Sequence, residues 1–515
     1  MTRSAFSAAV AFCMLAAPAV AQEPKRDLVV ATSQADAGKL DPHLASAGAD
    51  KGVLNWVFNA LVRIRPGETS PEFIEPDLAE SWTSSADGTE WTFTLRQGVE
   101  CHGGYGEFTA EDAVYSIRRA ANKETSAFSG DFAALDKVEA PDPYTVKVTL
   151  KTPIPSLLGL LSNYHGGLMV CGKAAEKLGA DFSTHPIGTG PFEFVEYLPQ
   201  QYIKLKANVA YFRGTPQLDT VTYRYIPSDA TRDLAFQSGE VDMIFGRQNN
   251  QWVERTQAVP GAVVVGMEPA ELNSLYLNKT VKPLDDIRVR QAIAHAIDRK
   301  LMVAFTGDKV AREAISVVPD GNLGVVDAGL FPYDPEKAKA LLAEAGYPDG
   351  ITLKTIQSSL PVLLKIMETL QADLKKSNIT LDMQVVDHPT YMADIRKDLS
   401  QVTLYQAARF PVADVYLTQF FHSRSTVNTP GGVVNFSHCD AADAEIDAAK
   451  RELDPVKQKQ LWKTAQEKIV ADVCAVPFSE QLVVWAWNGA LDLGYDLQGS
   501  LNLVPQLTEQ THFTK

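Results

Sequence analysis

The residues from Ile74 to Ile117 contain PDLAESW (76–82), DGTEWTFTLRQGV (87–99) and FTAEDAVYSI (108–117). In TEWTFTLRQGV apolar and polar residues alternate, which predicts a half-buried β-strand. Thr109, followed by Glu111 and Asp112, predicts a helix cap. The helix is expected to continue to about Ala121. A strand followed by a capped helix is typical of a mixed α and β domain.

Similar patterns extend in both directions along the chain. The sequence predicts a strand at Asp27 to Ser33, an amphipathic helix over 50–63, a helix from Pro335 to Gly346, a helix from Asp454 to Ala471 and a strand near Val483. The glycine-rich PIGTGPF at 186–192 lacks the Lys and Ser/Thr of a phosphate-binding loop. We interpret it as a tight crossing of the chain.

The first 21 residues have the features of an export signal. Arg3 gives a positive start, Ala5 to Leu15 is uncharged and mostly apolar, and Ala-Val-Ala at 19–21 provides a small-residue cleavage site. We therefore expect cleavage near Ala21, a mature chain that begins at Gln22, and a periplasmic location.

The mature chain is strongly acidic. Loss of residues 1–21 removes Arg3 and no acidic residue, which leaves 47 Lys and Arg against 63 Asp and Glu, a net charge of −16. Such a chain repels phosphate backbones and anionic lipid surfaces, so nucleic-acid binding is not expected. Its length far exceeds that of one domain core, so two or three lobes are expected.

Four cysteines remain after cleavage: Cys101, Cys171, Cys439 and Cys474. An even number in an oxidising compartment indicates disulfides, and four cysteines allow three pairings. The chain order favours Cys101 with Cys171 and Cys439 with Cys474, because each bridge would then lie within one lobe. Tight Cys/His spacing of the kind that binds metal is absent from the sequence.

In order and spacing, these motifs resemble the peptide/opine/nickel solute-binding proteins (family 5), the extracytoplasmic receptors of ABC importers. The resemblance implies an α/β (α+β) fold with two lobes and a small extra domain inserted in the first lobe, a type II, cluster C-like arrangement. The expected domains are a signal peptide at 1–21 and a binding domain at 22–515. Lobe 1 is expected at about 22–272, with its inserted subdomain at about 66–184 and a C-terminal return at about 488–515, and lobe 2 at about 273–487.

The same resemblance implies that a peptide-like or anionic organic solute is enclosed between the lobes. It is then delivered to an inner-membrane ABC permease with its ATPase. A ligand that touches both lobes binds the closed state more tightly and shifts the population towards it. We expect a monomer without cofactor, resident metal or catalytic residues.

Two positions depart from the peptide-binding members of this family. Those proteins carry W-x-x-D-Y-x-x-P-x-x-F-L, whose Asp pairs with the peptide ammonium, and the matching QAARFPVADVYL (406–417) places Arg409 there. Gln357 stands where dipeptide binders use an Arg for the carboxylate. An arginine in a cleft favours carboxylate or phosphate groups, so Arg409 predicts an anionic cargo. Pairing of Arg409 with a surface acid such as Asp414 is the alternative.

Four aromatic residues are candidates for apolar walls around the ligand: Tyr164, Phe128, Trp485 and Trp487. Aromatic residues at these spacings are also typical of a core.

Other classes of function stay open. A nickel-type metal chelate is the family's other cargo, although the nine histidines are scattered. A periplasmic hydrolase is the rival from another class, but the sequence contains no G-x-S-x-G, HExxH or glycine loop before a lysine. Domain closure on a ligand without turnover would identify a receptor.

Overall fold

The computed structural model describes residues 25–46, 50–154, 156–164, 166–408, 410–429 and 434–514. Within this part of the chain, nine strands form one mixed sheet. In spatial order they are β10 (Phe192–Leu198), β11 (Tyr202–Ala207), β12 (Thr220–Tyr225), β1 (Asp27–Thr32), β13 (Met243–Phe245), β19 (Ala475–Asn488), β14 (Ala262–Leu277) and β18 (Val402–Ala407), while β15 (Ala311–Glu313) pairs with β19 off this path.

Strands β14 and β19 run through both lobes of the molecule. Met267 and Val483 are buried in a core cluster of the N-terminal lobe. Further along β14, Leu272 is buried in a core cluster of the C-terminal lobe, together with Ala475 of β19. The β14–β19 register shifts between Met267 and Glu271, so the ladder is irregular where the chain passes from one lobe to the other. Such irregularities bend a strand locally, and we call residues 267–271 the hinge.

The segment from Ile74 to Ile117 contributes two strands and a helix to a separate antiparallel sheet domain. Its order is β4 (Ala79–Ser84), β5 (Glu90–Leu95), β9 (Thr145–Leu150) and β8 (Leu135–Asp142), and α2 (Ala110–Ala121) packs on it. Phe93 and Ile117 are buried between sheet and helix. The predicted cap forms, because Thr109 and Asp112 make a reciprocal capping box.

Shorter elements complete the N-terminal lobe. They are α1 (Leu54–Val57), β2 (Val62–Ile64), β3 (Ile74–Pro76), β6 (Glu100–Cys101), β7 (Gly106–Glu107), α3 (Leu157–Leu160), α4 (Gly172–Leu178), α5 (Asp229–Gln237), α6 (Asn250–Gln257), β20 (Leu491–Asp492) and β21 (His512–Phe513).

The C-terminal lobe is mainly helical around a parallel strand pair. Its elements are α7 (Ile287–Ala296), α8 (Arg299–Thr306), α9 (Pro335–Glu344), β16 (Ile351–Ser358), α10 (Pro361–Lys375), β17 (Ile379–Val386), α11 (His388–Arg396), α12 (Ala413–Phe421), α13 (Asp443–Ala449) and α14 (Pro455–Ala471). The predicted helix that ends at Ala471 is present, and Asp454 accepts a hydrogen bond from the backbone N–H of Val456 as its N-cap.

The prediction of one helix over 50–63 is wrong. Only Leu54–Val57 is α-helical, and the chain continues into the strand Val62–Ile64. The carbonyl of Val57 accepts from Gly190 N–H at 2.9 Å, and the carbonyl of Asn59 accepts from Met169 N–H at 2.8 Å. Tertiary partners therefore take the backbone groups that a longer helix needs.

Glycine is required where the predicted crossing meets this segment. A Cβ atom at Gly188 would lie 2.2 Å from the Val57 carbonyl oxygen, and one at Gly190 would lie 2.6 Å from the Val57 carbonyl carbon. Any side chain there would push the two backbones apart. The crossing of PIGTGPF is thus a close backbone contact.

The structure joins Cys101 to Cys171 and Cys439 to Cys474, the pairing that the chain order favoured. Each bridge links segments of one lobe, so neither spans the hinge. Among the described residues, helices with the length and apolar content needed to cross a bilayer are absent.

Candidate functional site

A polar cavity lies in the N-terminal lobe where three distant segments meet: residues 55–68, residues 162–163 and residues 499–506. It offers about 40 Å³ to water-sized molecules. Its polar lining includes five side-chain amides and a guanidinium, from Asn55, Asn59, Asn163, Asn502, Gln506 and Arg63. A few convergent polar groups of this kind fix the orientation of a bound ligand.

The cavity borders the contact between the two lobes. A Cβ atom at Gly159 would come within 2.6 Å of the Phe410 ring, which belongs to the C-terminal core. Ser162 Oγ and Asn163 Nδ2 both donate to the Gly159 carbonyl, at 3.0 and 2.7 Å. Ile64, at another edge of the cavity, packs into the same cluster as Phe410. The cavity therefore lies close to the contact between the lobes.

The carboxylates near the cavity are already compensated. Asp77 is 2% exposed and accepts hydrogen bonds from Asn59 Nδ2 and Arg213 Nη2, both at 3.1 Å. Arg63 Nε donates to Glu75 Oε1 at 2.8 Å. Burial alone would lower the pKa of the Arg63 guanidinium, but the nearby acids, Asp77 first, outweigh it and raise that pKa. Arg63 is therefore a fixed cation in the wall.

The amides that line the cavity differ in how many of their hydrogen-bonding groups are already engaged. Asn59 is fully engaged, because Nδ2 serves Asp77 and Oδ1 accepts from Thr189 Oγ1 at 3.0 Å. Asn502 is 4% exposed, and its Oδ1 is buried without a hydrogen-bond partner among the described residues. A buried acceptor in this state requires an explanation.

The hinge is tied to the same cavity wall. Glu268 N–H donates to the Gln498 carbonyl at 2.9 Å, and Ser500 N–H donates to the Glu268 carbonyl at 2.8 Å. The Glu268 carboxylate pairs with Arg312 at 2.7 Å. Because Ser500 lies in the cavity wall, these hydrogen bonds join the hinge directly to that wall.

An ion pair between a half-buried arginine and a buried carboxylate lies beside the hinge. Arg312 Nε donates to Glu480 Oε2 at 2.7 Å, and the Glu480 carboxylate is 0% exposed. Burial raises the pKa of Glu480, against the opposing effect of the Arg312 charge. The pair couples β15 to β19 through side chains as well as through the sheet ladder.

Arg409 lies outside the described residues, so its role stays a prediction. Its sequence position follows β18, and Phe410 beside it reaches the N-terminal lobe at Gly159. Gln357 is 0% exposed in β16, where Nε2 donates to the Ser358 carbonyl at 3.4 Å and Oε1 has no partner among the described residues. Its proposed part in ligand binding also stays a prediction.

The four aromatic candidates are not brought together. Tyr164 is half-buried next to the cavity residue Asn163, with Lys51 Nζ 3.8 Å from its ring centre. Phe128 is half-buried at the end of the turn before residues 129–132. Trp485 and Trp487 are 0% and 7% exposed and lie in the N-terminal core, the position that their sequence spacing also allowed. Contact of any of them with a ligand stays a prediction.

One group of metal-ligand type occurs among the described residues, formed by Cys439, Asp472 and Cys474. The disulfide occupies both sulfur atoms, and Asp472 already pairs with Lys279 at 2.6 Å. Metal ligation by cysteine requires the free thiolate. While the two cysteines are joined in the disulfide, this group does not fit a metal ion.

The amides that line the cavity are far apart in the sequence and were not among the predicted site residues. Asn55 and Asn59 are separated from Asn163 by about 100 residues and from Asn502 by more than 400. Single amides in loops carry no local signal of a shared site, because no spacing rule connects them. Only the fold brings them together.

Comparison with known proteins agrees with this architecture. The profile of the bacterial extracellular solute-binding proteins, family 5 (middle), matches residues 74–428. The glutathione-binding protein GsiB of Salmonella typhi is 29% identical over 476 residues, 90% of each chain.

Two solved structures have the same fold over nearly the whole chain. The binding protein MoaA from A. tumefaciens R10, in complex with mannopinic acid, is 47% identical with a TM-score of 0.84, covering 95% of this chain and 100% of that one. DppA from Helicobacter pylori, in complex with the peptide STSA, is 27% identical with a TM-score of 0.79, covering 96% and 99%. Both are type II periplasmic binding proteins.

These relatives are binding proteins associated with transport rather than enzymes. They take up a small molecule in the periplasm and deliver it to a membrane permease. The chain therefore belongs to the bacterial extracellular solute-binding proteins of family 5, and it is the periplasmic substrate-binding component of an ABC importer.

Proposed function

We propose that the cargo is an opine-type organic acid, a conjugate of a sugar-derived chain with an amino acid. The observation that carries this proposal is the 47% identity, over 95% of the chain, to MoaA, whose structure holds mannopinic acid. Mannopinic acid joins a mannitol chain to glutamic acid, so it presents hydroxyl groups at one end and carboxylates at the other. An amide-lined cavity suits the first kind of group.

The sequence at 406–417 supports an anionic cargo. Arg409 replaces the Asp that anchors a peptide ammonium in the peptide-binding members of the family. A guanidinium binds a carboxylate through two parallel hydrogen bonds. A free peptide amino terminus would instead lose its anchor and meet a positive charge.

We also infer that the protein returns its cargo unchanged. Binding between two lobes needs only a difference in affinity between the open and closed states. Sequence motifs of the common hydrolases are absent, so chemistry on the cargo has no nucleophile or metal water assigned to it.

The test is calorimetric titration of the protein with mannopinic acid and, in separate titrations, with glutathione and with the peptide Ser-Thr-Ser-Ala. We expect stoichiometric binding of mannopinic acid, a more compact protein in solution scattering, and intact ligand recovered after release. Tighter binding of glutathione or of the peptide would overturn the opine assignment. Conversion of the ligand over many turnovers would identify an enzyme.

Arg409 variants test the anionic part separately. Arg409→Ala is expected to weaken binding about tenfold to a hundredfold, since a charge-assisted hydrogen bond contributes about 1.5–3 kcal/mol. Arg409→Lys should recover part of the loss, because a point charge lacks the planar fork. Equal affinity of Arg409→Ala and wild type would remove Arg409 from the site.

A further inference from the structure

Three cavity residues hold amide groups that the protein leaves unused. Asn502 Oδ1 is buried without a partner among the described residues, and its Nδ2 reaches the Lys51 carbonyl only at 3.4 Å. The half-buried side chains of Asn55 and Gln506 make no hydrogen bond to another described residue. By contrast, Asn59 is saturated by Asp77 and Thr189, so the unused capacity is concentrated in three of the amides.

The chemistry of these groups selects the kind of ligand. Asn502 Oδ1 is an acceptor, so a carboxylate, which only accepts, cannot satisfy it. An ammonium could donate to Asn502 Oδ1, but because it only donates it offers no acceptor to the amide N–H groups of Asn55 and Gln506. A hydroxyl group both donates and accepts, so one kind of group matches the Asn502 acceptor and the N–H groups of Asn55 and Gln506. Leaving the buried acceptor unpaired costs stability, and a ligand hydroxyl would remove that cost.

We propose that Asn502, with Asn55 and Gln506, forms a hydroxyl subsite that takes the hydroxyl end of the polyol part of the cargo, the portion that a cavity of about 40 Å³ can hold. This inference rests on the proposed function and specifies which half of the cleft recognises which half of an opine. The N-terminal lobe binds the hydroxyl chain, which leaves the carboxylates for the facing lobe. The subsite is linked to closure, because Ser500, two residues before Asn502, is hydrogen-bonded to the hinge residue Glu268.

The test compares two ligands on matched variants. Mannopinic acid carries the hydroxyl chain, and N-hexylglutamic acid has the same amino acid part without hydroxyl groups. Wild-type protein should prefer mannopinic acid by at least a hundredfold, since a site built to bind hydroxyl groups rejects a ligand that lacks them. Asn502→Leu should weaken mannopinic acid binding about tenfold to a hundredfold and change the affinity for N-hexylglutamic acid by less than about twofold.

Two further variants guard against a folding artefact. Gln506→Leu, at a half-buried position, should cause a smaller loss of about threefold to tenfold for mannopinic acid alone. Asn322→Leu is the control, because Asn322 is 5% exposed with an unpartnered Nδ2 but lies outside the cavity lining. It should leave both affinities unchanged.

Each outcome decides the question. Equal losses for both ligands, or no loss, with Asn502→Leu and Gln506→Leu would overturn the hydroxyl subsite. If wild-type protein binds no mannopinic acid, the proposed function fails and the subsite is tested with mannitol alone. A rise in melting temperature with mannitol in wild type, absent in Asn502→Leu, supports the subsite, whereas equal shifts in both proteins overturn it.

Discussion

His43 is expected to make the protein sensitive to acid. The side chain is 0% exposed, Nδ1 accepts from Arg119 Nη1 at 2.9 Å, and Nε2 donates to the Leu168 carbonyl at 3.0 Å. Burial, followed by the charge of Arg119, lowers the pKa of His43 from 6.5 to about 4, against the opposing effect of Asp41. A second proton on the ring would have to sit on Nδ1, which faces a donor.

The size of the effect follows from linkage. The unfolded chain has the ordinary histidine pKa of 6.5, so between pH 6.5 and 4 it binds more protons than the folded protein at this site. The contribution of neutral His43 to the free energy of unfolding is therefore fully present above pH 6.5 and is lost as the pH falls towards 4. The pKa difference corresponds to about 3 kcal/mol, of which about 2 kcal/mol is lost by pH 5.

The assay is denaturant unfolding at pH 7.5 and pH 5.0 of wild type and His43→Gln. Glutamine keeps a donor and an acceptor but does not titrate, so the loss of unfolding free energy between the two pH values should shrink by about 2 kcal/mol. His185→Gln is the control, since His185 is exposed, and it should leave the pH dependence unchanged. An equal pH dependence in wild type and His43→Gln would refute the reasoning.

Three other predictions concern stability. Burial raises the pKa of the Asp414 carboxyl to about 6 despite the nearby charge of Lys450. The contribution of this carboxyl to folding stability is therefore fully present below pH 3.8 and is lost as the pH rises through 6. In denaturant unfolding, Asp414→Asn should be about 1–3 kcal/mol more stable than wild type at pH 7.5 but not at pH 4. Arg312→Met should cost about 1–3 kcal/mol because it removes the cation beside the buried Glu480 carboxylate, which keeps only the Asp320 N–H donor among the described residues. Glu480→Gln in the same chain should restore part of the loss, measured by denaturant unfolding, and no rescue would contradict the ion-pair explanation. Non-reducing peptide mapping of periplasmic protein should find Cys101 linked to Cys171 and Cys439 linked to Cys474, whereas four free thiols would contradict the pairing.

Elements with a strong local pattern could be predicted from the sequence. The helix Ala110–Ala121 carries its own cap at Thr109, and the helix Pro455–Ala471 has an N-cap Asp and a first-turn proline. The strand Glu90–Leu95 has the alternation of a half-buried sheet. The residues that carry each of these signals lie within a few positions of one another. The local structure they favour therefore does not depend on contacts with distant segments.

The sequence also determined the class of the protein and its compartment, because the export signal and the order of motifs are linear features of the chain. The order of the cysteines favoured the observed pairing among three possible ones once two lobes were expected. Arg409 stood out for the same reason, as a departure within a familiar segment.

Only the tertiary structure decided the fate of residues 50–63 and the position of the site. The helix there stops at Val57, because its carbonyl is taken by Gly190, more than 130 residues away. The cavity joins Asn55, Asn163 and Asn502, whose distance along the chain leaves no periodic trace. Contacts between distant segments depend on how whole lobes pack, and hydrogen-bond partners in such contacts are chosen by position in space rather than by position in the sequence.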